Sequence, residues 1–324
     1  MEARLVERAN VPYKSIPAAG IHGVGLKSLP GNVLRLVRGF FAARRILREF
    51  KPDVLFFTGG YLAVPMALAG RQIPSVLYVP DIEPALAIRT LARFADKIAV
   101  TASESFRYFT RQEKLILTGY PTRPELASWT RANARQVLNL ADDAPVLLVF
   151  GGSKGARSIN HAVLAALPGL LELAQVIHIS GELDWPEVSA QAKELTGFQA
   201  SRYHVFPYLH EEMGAALAAA DLAVSRAGAS TLGEYPLFGL PAVLVPYPYA
   251  WRYQKVNADV LVQSGAAVMV EDARLSDQLL PLVKDLLGQP QKLTSMRSAM
   301  QRLSHPQAAT EIGHLLLKLA GERS

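Results

Sequence analysis

VLLVFGGSKGARSINHAVLAALPGLLELAQVIHIS, residues 146–180, carries one complete unit of the architecture. An unbroken apolar run (146–150) ends in a glycine-rich turn, an amphipathic stretch (158–173) follows, and a second apolar run (175–180) closes the unit. A strand without polar alternation is buried on both faces, as in a parallel sheet covered by helices on each side. The same rhythm extends outward. Apolar runs at 54–58, 75–79, 97–100, 222–225, 242–245 and 267–270 alternate with amphipathic segments at 32–50, 84–94, 213–219, 231–238 and 253–262. The pattern predicts an α/β fold of doubly wound parallel sheets.

The break between two units is expected within 119–134. GYPTRP (119–124) holds two prolines and a glycine, and LASWTRANARQVLNL (126–140) begins a fresh helix. Three or four strands precede this break and five follow it. The first half is therefore short by at least one unit, and the chain opens on a helical pattern, ARLVERA (3–9).

The 324 residues suffice for about two domains of ~100–200 residues each. A hydrophobic share of 50% against 19% charged excludes a disordered chain. The lack of cysteine excludes disulfides, thiolate metal sites and a thiol nucleophile. Thirty-four basic residues against 28 acidic give a net charge of +6, too mild to imply a nucleic-acid partner. Every apolar run is shorter than the ~18 residues of a spanning helix, and the opening residues lack the apolar core of a signal peptide. A cytoplasmic protein is expected.

Three glycine-rich turns follow strands: FFTGGYLAVP (56–65), VFGGSKGARSIN (149–160) and VSRAGASTLGEYPLFGLP (224–241). Glycine at a helix start lets backbone N–H groups reach an anion without interference from a Cβ. Any one such turn equally suits tight strand–helix packing. Three in one chain, two of them in the second half, favour anion binding. No Walker A spacing, no G-x-G-x-x-G and no D-x-D is present, which argues against a divalent-metal clamp on a diphosphate. The histidines show no metal-ligand spacing, and His178 and His204 fall on apparent strands as packing residues.

FTGGYLAVP (57–65), GYPTRPEL (119–126), GGSKGARSIN (151–160) and above all SRAGASTLGE (225–234) with GLPAVLVPYPYAWRYQKVNA (239–258) resemble the MurG-type N-acetylglucosaminyltransferases of glycosyltransferase family 28. The resemblance covers nearly the whole chain. It implies a GT-B architecture, two Rossmann-like domains facing across a cleft. Residues 1–122 would bind the acceptor, residues 123–304 the UDP-sugar, and a C-terminal helix (305–324) would pack back on the first domain. It further implies inverting, metal-independent and cofactor-free transfer of N-acetylglucosamine from UDP-GlcNAc to a lipid-linked muramyl-pentapeptide diphosphate. This is a step of peptidoglycan biosynthesis on the cytoplasmic face of the membrane, tied to cell shape and division.

Carried over by position, Glu234 would hold the ribose hydroxyls, and the backbone of Ala229, Ser230 and Thr231 the diphosphate. Ser153 would touch phosphate, Arg123 would lie beside the nucleotide, and Leu209 would offer main-chain contacts to uracil. Gln254 and Asn257 match the donor-sugar region, and Gly59, Gly60 and Tyr61 the acceptor-diphosphate loop. The chemistry agrees: a departing UDP needs aligned N–H groups and a helix dipole, and Glu234 stands one turn beyond them. An ordinary first-turn acid at 234 and a solvated polar face at 254 and 257 remain open.

Three departures from the family pattern stand out. The family opens with a strand and a GGTGGH loop, whose His is a candidate base, whereas this chain starts where the family already reads M-E-x-x-L-V. The resemblance thus implies a first domain truncated by one strand–helix–strand unit of roughly 30 residues. Tyr78-Val79-Pro80-Asp81 replaces H-E-Q-N, which puts Asp81 at the family's donor-sugar asparagine. A Gln pair is reduced to Tyr253-Gln254. These changes leave open a different lipid or natural-product acceptor, or a donor-binding chain without activity of its own. A UDP-sugar epimerase on the same architecture is disfavoured by the GYPTRP and GGY loops. No catalytic residue is assigned.

Residues 32–51 carry six basic residues against Glu49, interleaved with apolar ones. One apolar stripe suits any sheet-covering helix. Leu34 and Phe41 exceed that stripe, and together with Arg35 and Arg38 they are expected to meet an anionic membrane surface.

Overall fold

The computed structural model of the protein describes residue 6 and residues 10–19, 29–61, 63–152 and 155–322. Two parallel sheets organise them. The first joins β1 (Leu55–Phe57), β2 (Ser75–Val79), β3 (Lys97–Val100) and β4 (Leu115–Leu117) in the order β1-β2-β3-β4. The second contains β5 (Val146–Phe150), β6 (Gln175–Ile179), β7 (Tyr203–Phe206), β8 (Leu222–Ser225), β9 (Ala242–Leu244) and β10 (Ala267–Met269), in the order β10-β9-β8-β5-β6-β7. Every pairing is parallel.

The continuous apolar runs explain the burial. Leu147 and Val149 pack into one core and Val146 and Leu148 into the other, because successive strand residues point to opposite faces. Helices Arg157–Leu173 and Leu275–Leu287 cover the first of these faces. Helices Met213–Ala219 and Thr231–Phe238 cover the opposite one, with fully buried Tyr235 at its centre.

The second unit opens on the helix Arg131–Val137, which a capping box starts. Thr130 Oγ1 accepts from the Asn133 N–H at 3.3 Å, and Asn133 Oδ1 accepts from the Thr130 N–H at 2.8 Å. From β5 the chain turns to β6 and β7 on one side, then returns to β8, β9 and β10 on the other. That reversal leaves a crevice beyond the carboxyl ends of β5 and β8, where such sheets bind ligands. Two of the three glycine-rich turns lie there.

The chain crosses between the sheets twice. The outward crossing is the segment after β4. On the return, the helix Ala308–Gly321 sets Ile312 and Leu319 against Val76, Tyr78 and Ala99 of the first sheet. The crossings touch at Gly119, whose φ is +84° and where a Cβ would fall 2.2 Å from His305 Cβ. Only glycine fits that approach. In the first unit, the helix Leu29–Phe50 packs on the helix Ala63–Ala69 and leaves its outer side in solvent.

Candidate functional site

At the crevice, β8 ends on Ser225, and 226–230 lead into the helix Thr231–Phe238. Thr231 holds this entry twice, its N–H donating to Gly228 O at 3.1 Å and its hydroxyl to the same oxygen at 2.7 Å. Beneath, the Ser225 and Tyr235 hydroxyls share a buried 2.6 Å hydrogen bond that ties strand end to helix. A helix N-terminus with its positive dipole end therefore faces the crevice at Ala229, Ser230 and Thr231, with the Thr231 N–H already held by Gly228 O.

Glu234 stands one turn along. Burial pushes its carboxyl above the ordinary value of 4.5, while nearby Arg123 and a hydrogen bond with Ser230 pull it partly back. Arg123 reaches this place because its segment presses on the helix: a Cβ at Gly233 would lie 2.7 Å from the Tyr120 side chain. The Tyr120 ring in turn meets Tyr78 of β2 edge-on, with centroids 6.4 Å apart. Glu234 thus sits where both units converge.

Asn257 is the other point of convergence, and it is fully buried. Its Oδ1 accepts from the Ile82 N–H at 3.0 Å, and its Nδ2 donates to Asp81 Oδ1 at 2.8 Å and to Ala227 O at 3.2 Å. One amide of the second unit thereby clamps the residues that follow β2 to the residue preceding Gly228. The expectation of a donor-sugar contact at 254 and 257 meets two different settings. Asn257 has both N–H groups engaged by protein, whereas Gln254 lines an open cleft and accepts from the Tyr247 N–H at 2.8 Å.

That cleft encloses about 800 Å³ at the start of the helix Arg157–Leu173, among Arg226, Tyr247, Gln254, Asp184 and Asp272. Arg226 is its fixed cation. It pairs with Asp272, donates to Ser158 Oγ at 2.8 Å and lies over the Tyr247 ring at 5.2 Å. Asp184 is positioned from below by a buried chain. Tyr203 Oη meets His178 Nδ1 at 2.8 Å, His178 Nε2 meets Asn160 Oδ1 at 2.9 Å, and Asn160 Nδ2 donates to Asp184 Oδ2 at 2.8 Å and to Ser180 O at 2.9 Å. Asn160 Nδ2 faces two acceptors, so its Oδ1 must accept from His178. The imidazole is thus the neutral Nε2–H tautomer, and burial pushes its pKa down to about 3.

The remaining expected residues are distributed as follows. Ser153 lies outside the described residues, as does Lys154. Leu209 follows β7 and is buried, with its side chain in the core. Gly59 (φ +109°) and Gly60 (φ +79°) form the loop at the end of β1, beside half-exposed Tyr61. On the helix Leu29–Phe50, Leu34 and Phe41 are 52% and 62% exposed, and Arg35 and Arg38 are exposed between them. Tyr120, Asn160 and Arg226 had no assigned role in the sequence, and Tyr78 stood out only as part of the segment that replaces H-E-Q-N. Tyr120 carried a signal in the GYP turn, whereas the partners of Tyr78, Asn160 and Arg226 are 18 to 68 residues away.

Among the described residues, no group of three or more His, Asp or Glu is placed to hold a metal ion. Among the same residues, no helix is long and apolar enough to cross a membrane.

Residues 1–100 match the N-terminal domain and residues 146–312 the C-terminal domain of glycosyltransferase family 28. The UDP-N-acetylglucosamine–N-acetylmuramyl-(pentapeptide) pyrophosphoryl-undecaprenol N-acetylglucosamine transferase of Roseiflexus sp. (strain RS-1) is 42% identical, over 100% of this chain and 82% of its own. The protein of the same name from Desulforudis audaxviator is 40% identical, over 99% of this chain and 88% of its own. The crystal structure of Acinetobacter baumannii MurG superposes with a TM-score of 0.73 at 26% identity, over 98% of this chain and 88% of that one. A Neisseria meningitidis UDP-GlcNAc 2-epimerase bound to UDP-GlcNAc superposes at 0.66 with 13% identity, over 98% and 88%, and shares the fold.

Proposed function

The chain belongs to glycosyltransferase family 28, and from that premise we propose that its two Rossmann-like units transfer N-acetylglucosamine from UDP-GlcNAc to a lipid-linked muramyl-pentapeptide diphosphate. The reaction is a hexosyl transfer of peptidoglycan synthesis on a GT-B fold. The observation that carries this reading is the convergence of Arg123, Glu234 and the N-terminus of the helix Thr231–Phe238 on the switch-point crevice.

In this reading the second unit, 123–304, binds the donor. Glu234 accepts the two ribose hydroxyls, Arg123 lies along the nucleotide, and the main chain at Leu209 meets uracil. The backbone at Ala229–Thr231, with the loop carrying Ser153, receives the diphosphate. Displacement at the anomeric carbon places new negative charge on the departing UDP. Aligned N–H groups and a helix dipole contribute up to ~2 kcal/mol to stabilising it, and no metal is needed. Gln254 faces the donor sugar from the edge of the cleft. The first unit, 1–122, completed by the C-terminal segment 305–324, presents Gly59, Gly60 and Tyr61 to the acceptor diphosphate.

A lipid-linked acceptor calls for a membrane-facing side on that unit. The exposed apolar residues Leu34 and Phe41, flanked by Arg35 and Arg38, supply it. Basic residues contribute about 1 kcal/mol each at an anionic leaflet, so the chain sits peripherally on the cytoplasmic face without a spanning helix. No nucleic acid takes part.

The test is transfer of labelled N-acetylglucosamine from UDP-GlcNAc to the muramyl lipid in vesicles, in the presence of a metal chelator. UDP release matched by labelled disaccharide lipid is expected. Absence of transfer, or transfer only to another acceptor, would refute the reading.

A further inference from the structure

Arg226 opens the turn between β8 and the helix Thr231–Phe238, the turn that receives the diphosphate in the reading above. A cation at that place is expected to meet the phosphates. Its side chain, however, is only 10% exposed and is engaged by protein. We propose that Arg226 is a positioning residue, which sets the Gln254 amide against the donor sugar and through it governs the choice of donor; this rests on the transferase reading above, in which Gln254 faces that sugar.

The guanidinium gathers the segments that follow β5, β8, β9 and β10. Its own backbone follows β8. Nη1 donates to Val245 O, just after β9, at 3.1 Å and pairs with Asp272, which follows β10. Nη2 donates to Ser158 Oγ at 2.8 Å, on the helix that follows β5, and the Ser158 hydroxyl donates in turn to Asp272 Oδ1 at 2.7 Å. The Tyr247 ring lies against the same group, its centroid 5.2 Å from Cζ. A planar fork can meet partners on two sides and a ring on its face at once, whereas the point charge of lysine cannot.

The effect reaches the donor sugar through Tyr247. Its ring is held by the guanidinium, and its main chain lies two residues beyond the carbonyl that Nη1 binds. The Tyr247 N–H donates to Gln254 Oε1 at 2.8 Å. That bond fixes the sense of the amide: Oε1 is taken, and the two N–H donors of Nε2 are left for the cleft that Gln254 and Arg226 both line. An amide fixed in this way discriminates between sugars, because a donor aimed at one hydroxyl is left unpaired when that hydroxyl changes configuration. Without the fork, the Val245 carbonyl and the Asp272 carboxylate, two acceptors on one Nη1, lose the donor between them and repel. The segment after β9 then moves, and Gln254 moves with it.

The test uses Arg226→Lys, which keeps a charge beside Asp272 and removes the fork, together with Gln254→Ala and the double variant. Transfer to the muramyl lipid should be measured with UDP-GlcNAc and with UDP-N-acetylgalactosamine, which differs in the configuration of one sugar hydroxyl. Calorimetry gives the affinity for UDP, which has no sugar. We expect kcat/KM for UDP-GlcNAc to fall ~10–10²-fold in Arg226→Lys, the scale of a small misplacement of a contact group, and its ratio over the epimer to fall about tenfold. UDP affinity should stay within about threefold of wild type, since no nucleotide contact is removed. The double variant should lose no more than about threefold beyond Gln254→Ala, because one residue acts through the other. Additive losses in the double variant, or an unchanged donor ratio in Arg226→Lys, overturn this inference alone. A fall in UDP affinity as large as that in transfer also overturns it, by placing Arg226 at the phosphates. A wild type that transfers nothing from either donor overturns the transferase reading and this inference with it.

Discussion

Acidification should weaken this protein through one imidazole, by an amount the buried chain beneath the cleft sets. His178 is fully buried and neutral, with a pKa of about 3 when folded against an ordinary 6.5 when the chain is unfolded. The neutral form is the one the fold selects. Its contribution is therefore complete above pH 6.5 and is lost as pH falls from there toward 3. Below 6.5 the loss approaches ~1.4 kcal/mol per pH unit, which gives about 2 kcal/mol at pH 5. Glu234 and Asp81 shift in the opposite sense, their raised values favouring the folded state as protons are added. A single stability curve would mix these effects. The difference between wild type and His178→Phe isolates the imidazole.

At pH 8 the substitution strands Tyr203 Oη and Asn160 Oδ1, two buried polar atoms, at a cost of about 2–4 kcal/mol. At pH 5 the gap between the two proteins should have narrowed by about 2 kcal/mol, because only the wild type must resist protonation. Urea unfolding of both proteins at the two pH values measures this. Parallel behaviour, with a gap unchanged to within ~0.5 kcal/mol, would refute the assignment of a neutral, hydrogen-bonded imidazole as the acid-labile element.

Two further outcomes are expected. Glu234→Ala should lower UDP affinity by roughly 1.5–3 kcal/mol in calorimetry, the scale of removing a charged hydrogen-bond partner; unchanged affinity, or a strict need for Mg²⁺, would remove Glu234 from the ribose. Sedimentation with anionic vesicles should bind the wild type at low salt and lose most of it in Arg35→Glu/Arg38→Glu, since each basic residue is worth about 1 kcal/mol there; equal binding to neutral lipid would reassign the helix Leu29–Phe50 to packing alone.

The interior of the fold was legible in the sequence, and its margins were not. The run 75–79 became β2 with all five residues buried, and 97–100 and 146–150 became β3 and β5 with unchanged bounds. β4 and β7, each at one edge of its sheet, are the least marked: the expected three or four strands left β4 open, and β7 showed only as the apparent strand that carries His204. Leu117 is exposed, and three of the four β7 residues are only partly buried; β4 offers a run of just three apolar residues and His204 interrupts β7, whereas β2 and β5 carry longer runs. The site divides in the same way. Glu234 and Gly228–Thr231 lie within one short segment whose spacing is visible. The partnership of Asp81 with Asn257 joins positions 176 residues apart on different units, and no local pattern encodes it. His178 illustrates the limit of such reading. Its place on a strand was evident, but its bond to Tyr203 follows from the parallel register of β6 beside β7 and its bond to Asn160 from the packing of the helix Arg157–Leu173 on β6.

The return of Ala308–Gly321 to the first sheet also dictates an order of events during synthesis. Val76, Tyr78 and Ala99 leave the ribosome long before the side chains that cover them, Ile312 and Leu319. The half that emerges first is thus the half completed last. Throughout that interval an apolar sheet face waits uncovered while the later half is made and can fold. A nascent chain stalled before residue 308 would hold that face open to chaperones, and emergence of the helix Ala308–Gly321 would be the event that closes it.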